Sequence, residues 1–408
     1  MADPRQAIET AGTSVRGLIK PCPANGRLAP TATPSRPDAF ALSFSGGGWR
    51  AALTAAGTLR FMADAGLLGQ VRWLSSVSGG SITNGLFAHA YNELRGRDFD
   101  PESIDRAVIT PLLRRARDQS LTWTLIRNAW RALGPRNRTE VMARIFDRWF
   151  YSGRPLHDLT QECRFVFNAA NATSGVRFEF TRERVGDYVT GYLPAPECDL
   201  TLGDAVAASA AVPGAFAAMR LRELDFPCGK GDDVRLLDGG VYDNLGLEAI
   251  DDLHGPCLVI VSAGGVLRRG MQGLLRFIPI VRDLKRSEEL LYRQATALRA
   301  RAMVERFQAW ERTPQGAEPP ANARKGILFG LGTTMKKVSP DWLEGRREEL
   351  PGAINRTTLA ESKTTFSKRS PGLCRDLIYR GWWLTGAELA TFHPEVLGQF
   401  PTWRPLPI

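Results

Sequence analysis

The sequence predicts an α/β fold in which a central, mostly parallel β-sheet lies between layers of helices. Two stretches, 40–66 and 71–94, repeat the same order of strand, glycine turn and helix. A third stretch, 257–263 (CLVIVSA), is uncharged and rich in β-branched residues, as a parallel strand buried on both faces usually is. Strands that alternate with helices in this way favour a parallel sheet.

The first unit begins with the apolar run Phe40–Phe44, which predicts a strand. Gly46–Gly48 interrupt this run, and an Ala/Leu-rich stretch from 51 to 66 predicts a buried helix behind the turn. A glycine turn between strand and helix aims backbone N–H groups and the positive end of the helix at a developing negative charge. The turn is therefore a candidate anion-stabilising site.

The second unit runs from a short apolar stretch, 71–74, into a turn at Ser78 and a helix over 81–94. Residues 76–80 read SVSGG, which is close to the G-x-S-x-G pattern of a nucleophile elbow. Ser76 stands where that pattern has its first glycine, and serine is the next smallest polar residue. Ser78 is the candidate nucleophile, and a plain helix N-cap is the alternative.

The remaining segments extend this architecture. The stretches 164–168 and 176–181 predict two strands that are joined by a turn and extend the same sheet. A helix of small residues follows Thr201 and is expected to end at 213–214. Asp238 ends a short apolar run and opens the segment DGGVYDN (238–244). A short strand at 326–330 and a helix at 373–389 complete the chain.

The domain organisation follows from composition. Residues 1–38 are rich in Pro, Ala, Thr and Gly and predict an irregular leader, whereas 39–408 predict one domain. Within that domain, 268–325 are expected to form a basic helical insertion or cap. Its apolar residues follow one helical face, namely Phe277, Val281, Leu284, Leu291, Ala295 and Leu298. That face either packs on the core, which is the interpretation we favour, or binds a lipid surface.

The chain of 408 residues has a formal net charge of +10. A basic surface attracts anionic lipid head groups or nucleic acid. The sequence has no zinc finger, no RNP-type aromatic motif and no basic region that leads into heptads. We therefore expect peripheral contact with an anionic membrane surface and no nucleic acid, while the oligomeric state is left open.

Composition also bears on compartment and metals. No apolar run approaches the roughly 18–20 residues of a membrane span, and no signal peptide is recognised. The six cysteines lie far apart without CxxC pairs, which predicts neither a zinc site nor a disulfide framework and fits a reducing compartment. The four histidines are also scattered. These features predict a cytoplasmic or peripheral membrane protein without a metal or cofactor.

A serine hydroxyl becomes a good nucleophile when a neighbouring base takes its proton, and the oxyanion that forms needs fixed donors. Ser78 would supply the oxygen and Asp238 would serve as the base. The glycine turn, Gly46, Gly47 and Gly48, would form the oxyanion hole, because glycine lets the backbone approach closely.

Four segments carry a family resemblance: SGGGWR (45–50), SVSGGS (76–81), ASAAVPGAF (208–216) and DGGVYDN (238–244). Over about 40–265 the chain resembles the patatin-like lipid acyl hydrolases, which are relatives of the cytosolic phospholipases. The resemblance implies a patatin-like three-layer sandwich and a Ser–Asp dyad at Ser78 and Asp238. It also implies that Arg50 faces the substrate phosphate. The expected activity is that of a phospholipase A or lysophospholipase, which hydrolyses an acyl lipid through a seryl ester.

Several of these residues have alternatives. Asp238 could be a turn residue that bonds its own backbone, and Asp243 is a rival carboxylate in the same segment. Arg50 could be an ordinary surface or core-paired arginine. The glycine turn could hold a phosphate, although SGGGWR matches neither G-x-G-x-x-G nor a P-loop.

A Ser-His-Asp esterase is a further alternative. His254 and His393 both follow Asp238 along the chain, as the histidine of an α/β-hydrolase does, although neither lies in a glycine-rich turn. Two other classes stay open as well. One is a catalytically silent lipid-surface binding protein on the same scaffold, and the other is a nucleotide-binding protein that uses the glycine turns.

Overall fold

The computed structural model describes residues 20–23, 38–121, 124, 138–229, 234–263, 279–314, 316–334, 338–344 and 356–407. Most of the predicted leader and the stretch 268–278 of the predicted insertion lie outside these residues, and the domain boundaries stay a prediction. The described strands are β1 (Phe40–Phe44), β2 (Val71–Val77), β3 (Arg164–Asn171), β4 (Val176–Phe180), β5 (Arg184–Asp187), β6 (Gly191–Pro194), β7 (Met219–Leu221), β8 (Val234–Asp238), β9 (Cys257–Ser262) and β10 (Gly326–Gly330).

The described strands form one mixed sheet in the order β10-β9-β1-β2-β3-β4-β5-β6, with β8 paired to β3 and β7 paired to β8. The five strands from β10 to β3 are parallel, and the others pair antiparallel. The predicted α/β class with a mostly parallel central sheet is confirmed. The sequence did not predict β5, β6 or β7.

The helices pack on this sheet. The described α-helices are α1 (Trp49–Asp64), α2 (Gly79–Arg95), α3 (Pro101–Ile104), α4 (Thr110–Asp118), α5 (Arg138–Phe146), α6 (Leu202–Ser209), α7 (Gly240–Asp243), α8 (Pro279–Glu311), α9 (Pro340–Leu343), α10 (Arg356–Glu361) and α11 (Pro371–Phe392). The helix α6 ends earlier than predicted. Its end precedes Pro213, which disfavours helical backbone in the residue before it.

Alternate residues of β1 enter different hydrophobic cores, as a strand between two helical layers requires. Phe40, Leu42 and Phe44 join the core that also holds residues of α1, α2 and α11. Ala41 joins a second, smaller core, which includes Met303 of α8. Both faces of the parallel half of the sheet are therefore covered.

Helix α1 is held against α11 by direct backbone contact. A Cβ added at Gly57 would lie 2.0 Å from the carbonyl oxygen of Ile378, and one at Gly381 would lie 2.0 Å from that of Thr54. Only glycine permits so close an approach. Since α1 starts directly after the glycine turn, this packing fixes the position of the turn.

Strand β3 brings the carboxyl ends of β2 and β8 together. Val77 of β2 lies opposite Asn168 of β3, and Asp238 of β8 lies opposite the next residue, Ala169. Strand β2 runs parallel to β3, and β8 runs antiparallel to it along the same side. The carboxyl ends of β2 and β8 therefore face each other. Ser78 follows Val77, so the register of β3 places Ser78 beside Asp238.

A disulfide joins Cys22 to Cys228, across a sequence separation of 206 residues. The cysteine spacing predicted no disulfide framework, and this one bond departs from that expectation. It also does not support a reducing compartment, since disulfides persist mainly in oxidising compartments. The cysteines at 163, 198, 257 and 374 are free and buried. None of the described helices is long and apolar enough to span a bilayer.

Removal of this disulfide is expected to lower the free energy of unfolding by about 2–4 kcal/mol, because the bond closes a long loop in the unfolded chain. The measurement is the thermal midpoint of the wild type and of Cys228→Ser, each with and without reductant. Reductant should lower the midpoint of the wild type and leave that of the variant unchanged. Equal midpoints for oxidised wild type and variant would contradict the prediction.

Candidate active site

Ser78 occupies a strained turn between β2 and α2. Its φ of 51° lies in the left-handed region, which a residue with a side chain rarely adopts. The residue is buried, with 4% of its surface exposed. Its backbone N–H donates to the hydroxyl oxygen of Ser209 in α6, at 2.9 Å. This turn has the geometry of a nucleophile elbow.

A relay of serine hydroxyls supports the elbow from below. The Ser209 hydroxyl donates to the carbonyl oxygen of Asn168, at 2.7 Å, and accepts from Ser81, at 2.9 Å. Ser81 in turn contacts the hydroxyl of Ser76, at 3.0 Å, and Ser76 accepts from the side-chain amide of Asn84, at 2.7 Å. The serine at the first position of the elbow pattern is thus a buried, hydrogen-bonded part of the turn.

Asp238 lies at the end of β8 with its carboxylate directed at this turn. The carboxylate lies beside the Ser78 side chain and accepts from the backbone N–H of Gly240, at 2.8 Å. The Asp238 N–H donates to the carbonyl oxygen of Ala211, at 2.9 Å, which fixes the strand end. Burial raises the pKa of Asp238 from 3.8 to about 6, and the interactions with Ser78 and with the Gly240 N–H limit the rise.

The glycine turn packs directly on the elbow. A Cβ added at Gly79 would lie 2.1 Å from the carbonyl oxygen of Gly48, so the two turns touch through their backbones. Gly47 and Gly48 have φ values of 149° and 62°, which L side chains rarely adopt. In the part of the chain that the structure describes, the N–H groups of Gly47 and Gly48 have no acceptor. Both are candidate donors to an oxyanion beside Ser78.

Gly46 differs from its two neighbours because its N–H is already bonded. It donates to the side-chain oxygen and the carbonyl oxygen of Asn244, each at 3.1 Å. The expectation that Gly46 belongs to the oxyanion hole is therefore not supported by the geometry. Asn244, which sequence reasoning passed over, instead ties the glycine turn to the loop after Asp238. In the sequence, its place in the segment DGGVYDN was the one feature that could have indicated a role for Asn244 in the site.

A family model for patatin-like phospholipases matches residues 42–251, which is just over half of the chain. This chain belongs to the patatin-like phospholipase family. A comparison with curated proteins gave no match. The patatin-like match includes the glycine turn, the elbow and Asp238, which are the three parts of the site described above.

Solved structures share the fold of this patatin-like chain. Human GIVD cytosolic phospholipase A2 aligns with a TM-score of 0.50 and 15% identity, over 87% of this chain and 59% of that one. Another structure of it, in complex with methyl gamma-linolenyl fluorophosphonate and terbium chloride, aligns at 0.48 and 17%, over 88% and 59%. VipD from Legionella pneumophila aligns at 0.37 and 13%, over 88% and 68%. The chain thus spans less than two thirds of the human phospholipase.

The guanidinium of Arg50 in this patatin-like chain is bonded to neighbouring segments of the fold. It is buried and donates to the carbonyl oxygen of Ala263, at 2.8 Å, to that of Ser362, and to the hydroxyl of Thr364, at 2.9 Å. This geometry favours the core-paired alternative, and the phosphate-binding role of Arg50 stays a prediction. Arg50 joins the start of α1 to the segment 362–364 and so helps to hold the glycine turn.

The rival carboxylate, Asp243, is engaged in its own loop. It accepts from the backbone N–H groups of Leu245, at 3.1 Å, and Glu248, at 3.0 Å, and it pairs with Arg299 of α8, at 3.6 Å. These bonds shape the turn that carries Asn244. Asp243 therefore has a positioning role, and Asp238 is the carboxylate in contact with Ser78.

The two candidate histidines lie near the amino ends of the parallel strands, at the end of the sheet opposite to Ser78. His393 contacts the backbone of Gly326, at 3.2 Å, where β10 begins, and His254 contacts Arg324, at 3.1 Å. Ser78 follows the carboxyl end of β2, which runs parallel to these strands. Strands of this length place their amino and carboxyl ends about 17 Å apart. Neither histidine can complete a Ser-His-Asp arrangement with Ser78.

No group of three or more His, Cys, Asp or Glu side chains in the described ranges is placed to hold a metal ion.

Proposed function

We propose that this protein is a serine-dependent lipid acyl hydrolase, with Ser78 as the nucleophile and Asp238 as the base. The observation that carries the proposal is the position of the Ser78 side chain beside a buried carboxylate whose pKa is raised to about 6. A base with a pKa near the working pH can both take and return a proton. Membership of the patatin-like phospholipase family supports a lipid ester as the substrate.

In the proposed acylation step, Asp238 takes the hydroxyl proton while the Ser78 oxygen bonds to the ester carbonyl carbon. The electron pair of the carbonyl bond moves onto its oxygen, which becomes the oxyanion. When that pair returns, the bond to the alcohol breaks, and the alcohol leaves with the proton from Asp238. A water molecule then repeats the sequence, which releases the fatty acid and restores the proton to Ser78.

The N–H groups of Gly47 and Gly48 are proposed to hold the oxyanion. Their glycine conformations let the backbone lie against Ser78, and helix α2 starts at the next residue with its positive end toward the same place. The loss of one such donor typically costs about 3 kcal/mol of transition-state stabilisation. The substrate is proposed to be a phospholipid, a lysophospholipid or a related acyl lipid, met by peripheral contact with an anionic membrane.

The proposal is tested with a fluorophosphonate probe and a substrate panel. The probe should label Ser78, located by peptide mapping, because labelling requires an activated hydroxyl. Pure protein should also release fatty acid from at least one of phospholipid, lysophospholipid, triglyceride or a short-chain ester. An unlabelled Ser78 together with no released acid would instead indicate a catalytically silent lipid-binding protein.

Gly79→Ala is expected to reduce activity at least about tenfold and to destabilise the fold by about 1–3 kcal/mol. The added methyl would lie 2.1 Å from the Gly48 carbonyl oxygen, so the glycine turn must move away from Ser78. The measurements are ester hydrolysis and the thermal midpoint. Gly372→Ala is the matched control, because its Cβ meets nothing within 4 Å, and it should leave both unchanged. Wild-type behaviour of Gly79→Ala would show that the two turns need not touch.

A further inference from the structure

A cluster of charged side chains adjoins the candidate site, and the proposed mechanism does not use it. Three arginines and three carboxylates from β4, β5, the segment after Asp238 and α8 belong to it, namely Arg177, Glu179, Arg184, Asp243, Glu248 and Arg299. All of them except Arg299 are buried. Buried charges are costly unless they are paired, so these contacts hold the segments that carry them in place.

Arg177 of β4 joins the two parts of this cluster. Its guanidinium contacts Glu179, at 2.8 Å, and Glu248, at 3.6 Å. Burial alone would raise the pKa of Glu179, but Arg177 and its neighbouring arginines lower it to about 2. Glu179 is therefore ionised at neutral pH, and the guanidinium of Arg177 lies between two carboxylates in one orientation.

One arm of this network runs from Arg177 to the nucleophile elbow. Nη1 of Arg177 donates to Oδ1 of Asn168, at 2.9 Å, and Nδ2 of the same amide donates to the carbonyl oxygen of Ser76, at 2.9 Å. The carbonyl oxygen of Asn168 accepts from the hydroxyl of Ser209, which accepts from the Ser78 N–H. The Asn168 side chain is therefore fixed between Arg177 and the end of β2, directly before the elbow.

A second arm runs from Arg177 to the glycine turn. Glu248, which pairs with Arg177, has its backbone N–H bonded to the carboxylate of Asp243, at 3.0 Å. The next residue, Asn244, accepts from the Gly46 N–H through its side chain and its carbonyl oxygen, each at 3.1 Å. The segment from 243 to 248 is thus held by Arg177 at one end and holds the glycine turn at the other.

We propose that Arg177 is a positioning residue for the reaction, which sets the elbow and the glycine turn in register with each other. The inference rests on the proposed function, because it takes Ser78 as the nucleophile and the turn as the oxyanion hole. A guanidinium suits this role, since its planar fork fixes several acceptors at once, whereas the ammonium of lysine is a point charge on a flexible stem. A misplacement of about 1 Å can lower the rate of a reaction by about 10²-fold.

The test compares Arg177→Lys with Arg60→Lys in the full chain. Arg60 is the matched control, because it is also buried and its Nε donates to Asp105, at 2.7 Å. It lies about three turns along α1 from the glycine turn. Both variants disturb a buried ion pair and should lower the thermal midpoint, so a loss of stability alone does not distinguish them.

The kinetic constants should separate the two variants. Arg177→Lys should lower kcat for ester hydrolysis about 10–100-fold and change KM by less than about threefold, because the reacting groups are displaced while the substrate is still bound. Arg60→Lys should keep kcat within about twofold of the wild type. Each rate is measured at the same interval below the thermal midpoint of that variant.

Hydrogen exchange of backbone amides provides a second measurement that needs no activity. In Arg177→Lys the N–H groups of Gly46 and Ser78 should exchange at least about tenfold faster than in the wild type, because their acceptors are held less firmly. Arg60→Lys should leave both exchange rates unchanged.

Glu248→Gln tests the second arm by itself and decides the matter if Arg177→Lys does not fold. Glutamine keeps the shape of the side chain and removes the charge that pairs with Arg177. This variant should speed the exchange of the Gly46 N–H and leave that of Ser78 unchanged.

Two outcomes would overturn the inference. In the first, kcat and exchange change no more in Arg177→Lys than in Arg60→Lys. In the second, Glu248→Gln leaves the exchange of Gly46 as in the wild type. A different result separates this inference from the proposed function. If exchange responds as expected but the wild type hydrolyses no ester and Ser78 is not labelled, the positioning network stands and the hydrolase proposal fails.

Discussion

Ser78→Ala is expected to lower the release of fatty acid from phospholipid micelles by at least about 10³-fold, because the seryl ester cannot form. Among the described residues, the neighbouring hydroxyls of Ser76, Ser81 and Ser209 are all bonded within the buried relay and cannot replace that of Ser78. The measurement is the initial rate of acid release, together with labelling by a fluorophosphonate.

The matched control for this prediction is Ser174→Ala. Ser174 is partly exposed and its hydroxyl contacts Asp187, at 3.1 Å, in a turn apart from the dyad. This control should retain activity, and Ser78→Ala should keep the thermal midpoint of the wild type or exceed it, since the left-handed turn stays strained in both. Substantial activity in Ser78→Ala would remove Ser78 from the mechanism.

Asp238→Asn is expected to lower activity by about 10²–10⁴-fold, because an amide cannot take the Ser78 proton. Asparagine has nearly the same shape and can still accept the bond from the Gly240 N–H, so the turn should keep its geometry. Asp243→Asn is the comparison, since Asp243 shapes the loop without contacting Ser78. It should lose stability in proportion to its lost bond with Arg299 and lose much less activity than Asp238→Asn.

The pH dependence follows from the raised pKa of Asp238, about 6. Only the ionised carboxylate can act as the base, so kcat/KM of the wild type should rise about tenfold per pH unit below that value and level off above it. The residual activity of Asp238→Asn should lack this inflection. A wild-type profile that is flat through pH 6 would contradict the assignment of Asp238 as the base.

Stability should respond in the opposite direction. A carboxyl whose folded pKa is raised stabilises the fold while protonated, and this contribution is lost as the pH rises from about 4 through about 6. The difference between 3.8 and about 6 corresponds to on the order of 3 kcal/mol. The thermal midpoint of Asp238→Asn relative to that of the wild type should therefore increase over this interval. A variant that is less active yet more stable at neutral pH would separate a catalytic role from a structural one.

Local sequence patterns predicted much of this fold. The strands β1 and β10 have the bounds that apolar runs beside glycines indicated, and β9 differs by one residue at its end. The strain at Ser78 was also readable, because small residues on both sides are what a tight strand-to-helix turn needs. Such features depend on residues close together in the chain, so their sequence is sufficient to predict them.

Other features depended on residues far apart in the chain. The arginine of SGGGWR reads as a phosphate ligand, yet Arg50 is bonded to oxygens of Ala263, Ser362 and Thr364. The apolar stripe of α8 reads as a buried face, yet Leu291 and Leu298 are exposed. Periodicity shows that a helix has an apolar side, but only packing decides which side meets the core.

The sequence alone determined which residues are candidates for the chemistry of this patatin-like protein: a serine in an elbow, an aspartate before two glycines, and a glycine turn. Only the tertiary structure decided that they meet. Ser78 and Asp238 are neighbours because β2 and β8 pair with successive residues of β3, Asn168 and Ala169, from opposite directions. A shift of β8 by one residue would turn its side chains to the other face of the sheet, since strand side chains alternate. That register arises from the packing of the whole sheet.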